Sequence, residues 1–127
     1  MRAAIIGLGK IAWRYDGGQP IDGAVLTHLS ALLNAGIDVV GGADPCPQAR
    51  RDFTISTGIV AYSTVAELLD KAPDLVTIAS PNWFHAQHLT ACLDVGVKYI
   101  WLEKPATTDL TVTHALAIRA RAQGARV

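Results

Sequence analysis

The chain has 127 residues, enough for one domain with a single hydrophobic core. Half of its residues are hydrophobic and 17% are charged, so its composition lies far from that of disordered proteins. The 11 basic and 11 acidic side chains balance, which leaves no broad positive field for nucleic acid or for an anionic membrane surface.

The N-terminal run MRAAIIGLGK is apolar, but glycines interrupt it and no small-residue cleavage site follows it. It therefore predicts a strand of a cytoplasmic protein and not a secretion signal. Cys46 and Cys92 stand alone, without the spacing of a zinc site or of a disulfide framework. We expect two reduced thiols and no bound metal.

Short apolar runs recur along the chain at residues 3–8, 37–43, 59–63, 75–80 and 97–103. They are rich in Val and Ile and show no polar alternation, which is typical of strands that are covered on both faces. Segments with helical period separate the runs. Leu29, Leu32 and Leu33 form one apolar helical stripe, while Thr64 and Glu67 have the spacing of a capping box.

Two more helices are expected in the second half of the chain. Asn82 is placed to cap the helix that follows it, and residues 110–124 form a last amphipathic segment. Strands that alternate with helices through short connections predict right-handed crossovers and a parallel sheet. We therefore predict an α/β fold, a doubly wound parallel sheet with helices on both faces, formed by residues 1–127 as one domain.

The end of the chain, ARV, falls where the alternating pattern would begin a sixth strand. Either the sheet is complete with five strands, or a longer protein has been cut or has decayed. We favour the second alternative, a sheet truncated before its last strand.

The motif GLGKIA follows the first predicted strand and opens a helix, which is the context that a G-x-G-x-x-A phosphate loop requires. Gly7 permits the tight turn, Gly9 lets a pyrophosphate approach the backbone, and Ala12 is small enough for the helix to pack on the sheet. The free amides and the dipole of that helix then point at phosphate groups. The motif predicts a dinucleotide-binding Rossmann fold, although a plain structural turn explains the same residues.

Asp44, in GGADP, stands at the carboxyl end of the second predicted strand. An acidic side chain there accepts hydrogen bonds from both hydroxyls of the adenosine ribose, and its alternative role is to cap the next helix. No arginine directly follows Asp44 to receive a 2′-phosphate, which favours NAD. Arg50 and Arg51, about one helical turn later, keep NADP open.

The spacing between the glycine motif and Asp44 exceeds the usual twenty or so residues. The excess lies in segment 13–25, WRYDGGQPIDGAV, which contains three glycines and a proline. It reads as a loop inserted after the first turn of the helix, which resumes near Thr27. Such a loop is either a lid or substrate wall, or a tolerated surface insertion.

The fourth predicted strand ends in ASPNWFH and the fifth in EKP. In an open parallel sheet the ligand lies across the carboxyl ends of the strands, so both segments border the same crevice as GLGKIA. Lys104 there could donate a hydrogen bond or relay a proton during hydride transfer. Its alternative is a solvent-exposed strand end where Lys104 pairs with Glu103.

The motifs GLGKIA, ADP, SPNWFH and LEKPATT, in this order and at these separations, resemble the cofactor domain of the Gfo/Idh/MocA oxidoreductases. This is the family of glucose-fructose oxidoreductase and inositol dehydrogenase, and the resemblance covers nearly the whole chain. Thr27 and His28 also resemble the family's histidine in the first helix, displaced by segment 13–25. The resemblance implies a full-length enzyme that transfers hydride between nicotinamide and a hydroxyl-bearing carbon of a sugar, cyclitol or related small molecule.

The resemblance also implies a set of residues that bind the nicotinamide dinucleotide. They are Gly7, Gly9, Lys10, Ile11, Asp44, Ser80, Pro81, Asn82, His85, Glu103 and Lys104. The glycine-loop members would cradle the pyrophosphate, and the members after the fourth strand would line the nicotinamide ribose. Lys104 is the implied catalytic residue, in contact with substrate, and Trp83 either walls the crevice or packs. Three other side chains are expected to be structural: His88, His114 and Trp101.

Members of the family continue into a second, larger α/β domain that forms the substrate pocket, and residues 1–127 contain none of it. We therefore expect the chain alone to bind NAD, or NADP, without efficient turnover, because orientation of the two reactants is much of the catalysis. The alternative is a non-catalytic module, which senses NAD(H) or works with a partner chain that carries the missing domain. An incomplete sheet leaves an exposed edge and apolar surface, so we expect a homo-oligomer or aggregation.

Overall fold

A computed structural model describes all of residues 1–127. Five parallel strands form its single sheet: β1 (Arg2–Ile6), β2 (Asp38–Ala43), β3 (Ala61–Tyr62), β4 (Leu75–Ile78) and β5 (Tyr99–Leu102). Five α-helices accompany them: α1 (His28–Asn34), α2 (Pro47–Thr57), α3 (Val65–Leu69), α4 (His85–Asp94) and α5 (Leu110–Ala122). A turn of π-helix (Lys10–Arg14) and a 3₁₀ turn (Asn82–Phe84) complete the elements.

The strand order is β3-β2-β1-β4-β5, so the chain starts in the middle of the sheet and winds outward in both directions. This confirms the predicted doubly wound fold and places the switch point between β1 and β4. Arg126 adds a parallel bridge to Tyr99 beyond β5, and its carbonyl accepts the N–H of Ile100 at 2.8 Å. The C-terminal residues thus pair where the pattern predicted a sixth strand to begin.

Two apolar clusters lie on opposite faces of the sheet, which confirms the three-layer architecture. The larger, of 14 buried residues, joins the sheet to α3, α4 and α5; the smaller, of nine, joins it to α1, α2 and the π-turn. Phe53 of α2 and Leu93 of α4 are almost fully buried in them. Burial of each such side chain contributes roughly 1.5–3 kcal/mol to stability.

The ends of the elements confirm some sequence signals and correct others. Thr64 and Glu67 form the predicted capping box at the start of α3. Asn82 does not cap α4: it lies in the 3₁₀ turn, and α4 begins at His85 without a side-chain cap. The runs at residues 3–8 and 75–80 overshoot their strands by two residues, because the chain turns at Gly7 and bends at Ser80.

The helix after the glycine motif is divided, as the sequence predicted. The π-turn ends at Arg14, turns and bends follow, and α1 begins at His28 with Thr27 as its N-cap. None of the helices has the length and apolar character needed to cross a membrane.

Candidate functional site

The glycine turn after β1 packs directly against the end of β4. Gly7 has φ +88, and a Cβ built on it would lie 2.6 Å from both Cα and N of Ser80. Only glycine permits both the backbone angle and the close approach. The turn is therefore fixed to the strand across the switch point.

Gly9 faces open space. A Cβ at this position would meet no protein atom within 4 Å. The backbone N–H groups of Gly9, Lys10 and Ile11 have no acceptor within the chain. Free amides beside an unfilled space suit a phosphate group, whose oxygens accept such hydrogen bonds.

Trp13 anchors the π-turn that carries these amides. Its indole N–H donates to the carbonyl of Leu8 at 3.0 Å, and its ring packs edge-on against Phe53 at 5.6 Å between centroids. Lys10 and Ile11, on the same turn, are exposed. The sequence placed these two residues in the phosphate cradle, and the structure leaves both accessible there.

Asp44 follows β2 and its carboxylate joins the glycine turn to the end of that strand. Oδ2 accepts the N–H of Leu8 at 2.9 Å, and Oδ1 accepts the N–H of Cys46 at 2.8 Å. An ionised carboxylate offers about four lone-pair positions, so two remain for other donors. Cys46 is the N-cap residue of α2, but its side chain makes no capping hydrogen bond. The Asp44 carboxylate, which lies before that helix, accepts the N–H of Cys46.

Arg50 lies beside Asp44. Its guanidinium donates to the carbonyl of Asp44 at 2.7 Å and to that of Pro45 at 2.9 Å. Arg51 donates to Gln48 along the same helix instead. Arg50 is therefore held against the backbone at the start of α2, and Asp44 lines the crevice whereas Arg50 does not.

A crevice of about 250 Å³ opens between the ends of β1, β2 and β4. Its lining residues are Ile6, Gly7, Ala43, Asp44, Pro45, Ser63, Val65, Ser80, Pro81, Phe84, Gln87 and His88. Val65, Pro81 and Phe84 provide apolar walls, and Asp44 provides a charged end. Apolar walls with few convergent polar groups are typical of small-molecule sites and suit a flat purine attached to a ribose.

His88 is a crevice residue that the sequence reasoning missed by treating it as structural. Its Nδ1 lies 2.8 Å from Oγ of Ser80, and its ring stacks on Phe84. Burial lowers the pKa of His88, and the charge of His85 lowers it further. The signal that could have found it is its three-residue spacing from His85, which puts both rings near one side of α4.

Glu103, at the end of β5, is paired with His28 and not with Lys104. Oε1 of Glu103 lies 2.8 Å from Nε2 of His28, whose side chain is only 4% exposed. No ion pair joins Glu103 to Lys104, and Lys104 is exposed. Of the alternative for Lys104, the pairing with Glu103 is absent and the exposed strand end is present, so its ammonium group is accessible at the sheet edge.

His28 is held in place from two sides. It is the first residue of α1, and the edge of its ring meets Trp101 with 4.6 Å between centroids. Burial lowers the pKa of His28, and the hydrogen bond and negative charge of Glu103 only partly offset this. An ionised carboxylate only accepts, so Nε2 of His28 carries a proton and donates it to Glu103.

Asp16 organises segment 13–25. Its buried carboxylate accepts hydrogen bonds from Oγ1 of Thr27 at 2.6 Å, from Oγ of Ser30, and from the N–H groups of Gly18, Leu26 and Thr27 at 3.0–3.1 Å. Burial by itself would raise the pKa of Asp16, but these hydrogen bonds outweigh it and lower the pKa. The inserted segment thus fixes the start of α1, and with it His28.

The residues after β4 are divided between the crevice and the interior. Ser80 and Pro81 line the crevice, whereas the side chain of Asn82 makes no hydrogen bond within the chain and Trp83 is largely exposed. His85 is 1% exposed, and both its ring nitrogens lie 2.8 Å from backbone carbonyls. His85 therefore turns both ring nitrogens toward backbone carbonyls at the ends of β4 and β5, and it does not line the 250 Å³ crevice.

His114 and the two cysteines lie outside the crevice. His114 is exposed on α5, and the two cysteines are unpaired, with Cys46 exposed and Cys92 buried in the larger cluster. Burial raises the pKa of the Cys92 thiol to about 12. A buried, protonated thiol is a packing group and not a nucleophile.

Comparison with known proteins places the chain in an oxidoreductase family. The model of an oxidoreductase family with an NAD-binding Rossmann fold matches residues 1–127. The 1-carboxy-3-chloro-3,4-dihydroxycyclohexa-1,5-diene dehydrogenase of Comamonas testosteroni is 30% identical over 112 residues, which are 87% of this chain and 25% of that protein.

Two solved structures show the same fold. The WlbA dehydrogenase of Chromobacterium violaceum, in complex with NADH and UDP-GlcNAcA, has a TM-score of 0.80 at 19% identity, over 98% of this chain and 33% of that one. The myo-inositol 2-dehydrogenase of Lactobacillus plantarum has a TM-score of 0.76 at 20% identity, over 97% and 33%. The chain thus spans about a quarter to a third of the length of these relatives.

Proposed function

The chain belongs to the Gfo/Idh/MocA oxidoreductase family, and we propose that it is the part of a dehydrogenase that holds a nicotinamide adenine dinucleotide. The observation that carries the proposal is the arrangement at one sheet edge. The Asp44 carboxylate, the free amides at Gly9 and the accessible Lys104 follow β2, β1 and β5, in the order in which a dinucleotide crosses such a sheet.

The adenosine half is assigned to the crevice beside Asp44. The two lone-pair positions left on its carboxylate accept the 2′- and 3′-hydroxyls of the ribose, while Val65 and Phe84 wall the purine. A 2′-phosphate would bring negative charge to this carboxylate. NAD is therefore preferred, although Arg50 lies on the far side of Asp44.

The nicotinamide half is assigned to the ends of β4 and β5, near Asn82 and Lys104. Bound there, the dinucleotide supplies the hydride donor or acceptor that the family's oxidoreductase chemistry requires. The Lys104 ammonium holds or moves a proton at the substrate oxygen, because it is exposed and has no carboxylate partner. Glu103, fixed by His28, limits where the following lysine can reach.

The whole protein then transfers hydride between nicotinamide and a hydroxyl-bearing carbon of a sugar, cyclitol or related molecule. The substrates and ligands in the relatives' names all have carbons that bear hydroxyl groups. They are a dihydroxycyclohexadiene, a UDP-sugar acid and myo-inositol. The chain spans about a quarter to a third of the length of these relatives, and we propose that the residues that choose the substrate lie in the part of the whole protein that corresponds to the rest of their length. We place the protein in the cytoplasm, because its N-terminal apolar run forms strand β1 and lacks the pattern of a secretion signal. We propose no nucleic-acid or membrane partner, because its charge is balanced.

Calorimetric titration of the chain with NAD(H) and NADP(H) tests the proposal. We expect saturable binding with NAD(H) preferred, and a loss of about 10- to 100-fold in affinity for Asp44→Ala, the range for hydrogen bonds to a charged group. Asp38→Ala is the matched control, because Asp38 is exposed at the opposite end of the same strand. Absence of binding to either dinucleotide would overturn the proposal. A preference for NADP(H) would mean that Arg50 binds a 2′-phosphate and that Asp44 does not accept both ribose hydroxyls.

A further inference from the structure

His85 makes two hydrogen bonds that a neutral imidazole cannot make together. Its Nδ1 lies 2.8 Å from the carbonyl oxygen of Pro105, and its Nε2 lies 2.8 Å from that of Ser80. A carbonyl oxygen only accepts, so each contact requires an N–H on the ring. A neutral ring carries one N–H and only the imidazolium carries two.

Neither carbonyl has another donor. No backbone or side-chain group of the chain other than His85 donates to Ser80 O or Pro105 O. The histidine side chain is buried, with 1% of its residue surface exposed, so water has little access to the ring. A deprotonated nitrogen would put a lone pair against a carbonyl lone pair in the interior, which is unfavourable.

The two carbonyls belong to different strand ends. Ser80 follows β4 and Pro105 follows β5, and these are neighbouring strands of the sheet. The ring therefore crosses the gap between the two segments that flank the proposed nicotinamide position. Lys104 immediately precedes Pro105, so the height and direction of the lysine depend on where that carbonyl is held.

No carboxylate pairs with His85, so the two carbonyl oxygens are the partners of its ring. On α4, one turn away, the pKa of His88 is lowered, chiefly by burial and in addition by the charge of His85. From the β5 side, Glu103 is occupied by His28, and Lys104 extends into solvent. Asp109, the N-cap of α5, is used by the first amides of that helix.

We propose that His85 is an imidazolium clip, a positioning residue that donates to Ser80 O and Pro105 O at once and sets the spacing of the two strand ends. The clip itself rests only on these contacts. Its effect on the nicotinamide half rests on the proposed function.

Nitrogen-15 NMR of the ligand-free chain tests the clip directly. The protein has four histidines, so the ring signals can be assigned with His85→Gln. We expect two slowly exchanging ring N–H protons from His85 at pH 7, both absent in His85→Gln. The exposed His114 provides the comparison, because its ring protons should exchange with water. A single ring N–H on His85 would overturn the proposal, whether or not the chain binds a dinucleotide.

Binding of NADH at pH 7 tests the consequence. His85→Gln should bind NADH about tenfold more weakly than the wild type, the effect of one charge-assisted hydrogen bond. His114→Gln, which changes an exposed histidine, should bind NADH as the wild type does. Wild-type affinity in His85→Gln would contradict the positioning role. If no NADH binds at all, the proposed function fails, and the NMR result still decides the clip.

Discussion

Replacement of Gly7 with alanine tests the close packing between the glycine turn and the end of β4. The Cβ would lie 2.6 Å from Cα and N of Ser80 and 2.8 Å from the carbonyl carbon of Ala79. These are backbone atoms at the end of a central strand, so they cannot rotate away as a side chain could. The turn or the strand end must shift.

The cost has two parts. Overpacking of a well-filled region costs about 1–3 kcal/mol, and an alanine held at the φ of +88 adds about 1–2 kcal/mol. Together they lower the free energy of unfolding by about 2–5 kcal/mol, a large fraction of the 5–15 kcal/mol typical of a domain. The variant should therefore be markedly less stable than the wild type.

Urea denaturation followed by tryptophan fluorescence measures this loss. Gly9→Ala is the matched control, because Gly9 has φ −86 and its Cβ would meet no atom within 4 Å. Its stability should stay within about 1 kcal/mol of the wild type, while its affinity for NAD(H) falls because the methyl group occupies the space assigned to the pyrophosphate. A Gly7→Ala variant as stable as the wild type would refute the packing argument.

Three further predictions follow from other parts of the fold. The hydrogen bonds to Asp16 outweigh burial and lower its pKa, so its contribution is present above the ordinary value of 3.8 and lost as pH falls through the lower folded value. Asp16→Asn should therefore cost about 1–3 kcal/mol in urea denaturation at pH 7 and progressively less in acid; an equal difference at all pH values would contradict this. Burial lowers the pKa of His28 below 6.5, so the free energy of unfolding should decline as pH falls below that value. His28→Gln should remove part of this decline. His88, whose pKa is also lowered by burial, should account for the rest. Tyr99 and Trp101 are half-exposed on β5, so light scattering should detect dimers or larger species, against which a sharp monomer peak at high concentration would count.

Local sequence signals predicted much of the fold. The apolar runs located all five strands, and the helical stripes and caps between them are properties of a few neighbouring residues. The errors are local too. Residues 79 and 80 continue an apolar run after the ladder of β4 has ended, and Asn82 follows a proline into a 3₁₀ turn before it can cap α4.

Local sequence signals could not predict the long-range contacts of the candidate site. His28 and Glu103 are 75 residues apart, and nothing near either residue indicates that they meet. Asp16 lies among glycines in a segment that looks like a plain loop, yet its hydrogen bonds fix the start of α1. The two carbonyls that His85 contacts are backbone atoms, which no residue pattern can reveal.

The central claim is that a dinucleotide lies across the sheet with adenosine at Asp44 and nicotinamide at Lys104. Calorimetric titration with ADP-ribose and with NADH tests it most directly, because ADP-ribose lacks the nicotinamide. Asp44→Ala should weaken both ligands by about 10- to 100-fold, whereas Lys104→Ala should weaken NADH modestly and leave ADP-ribose unchanged. If Lys104→Ala weakens both ligands equally, or Asp44→Ala weakens neither, the assigned orientation is contradicted.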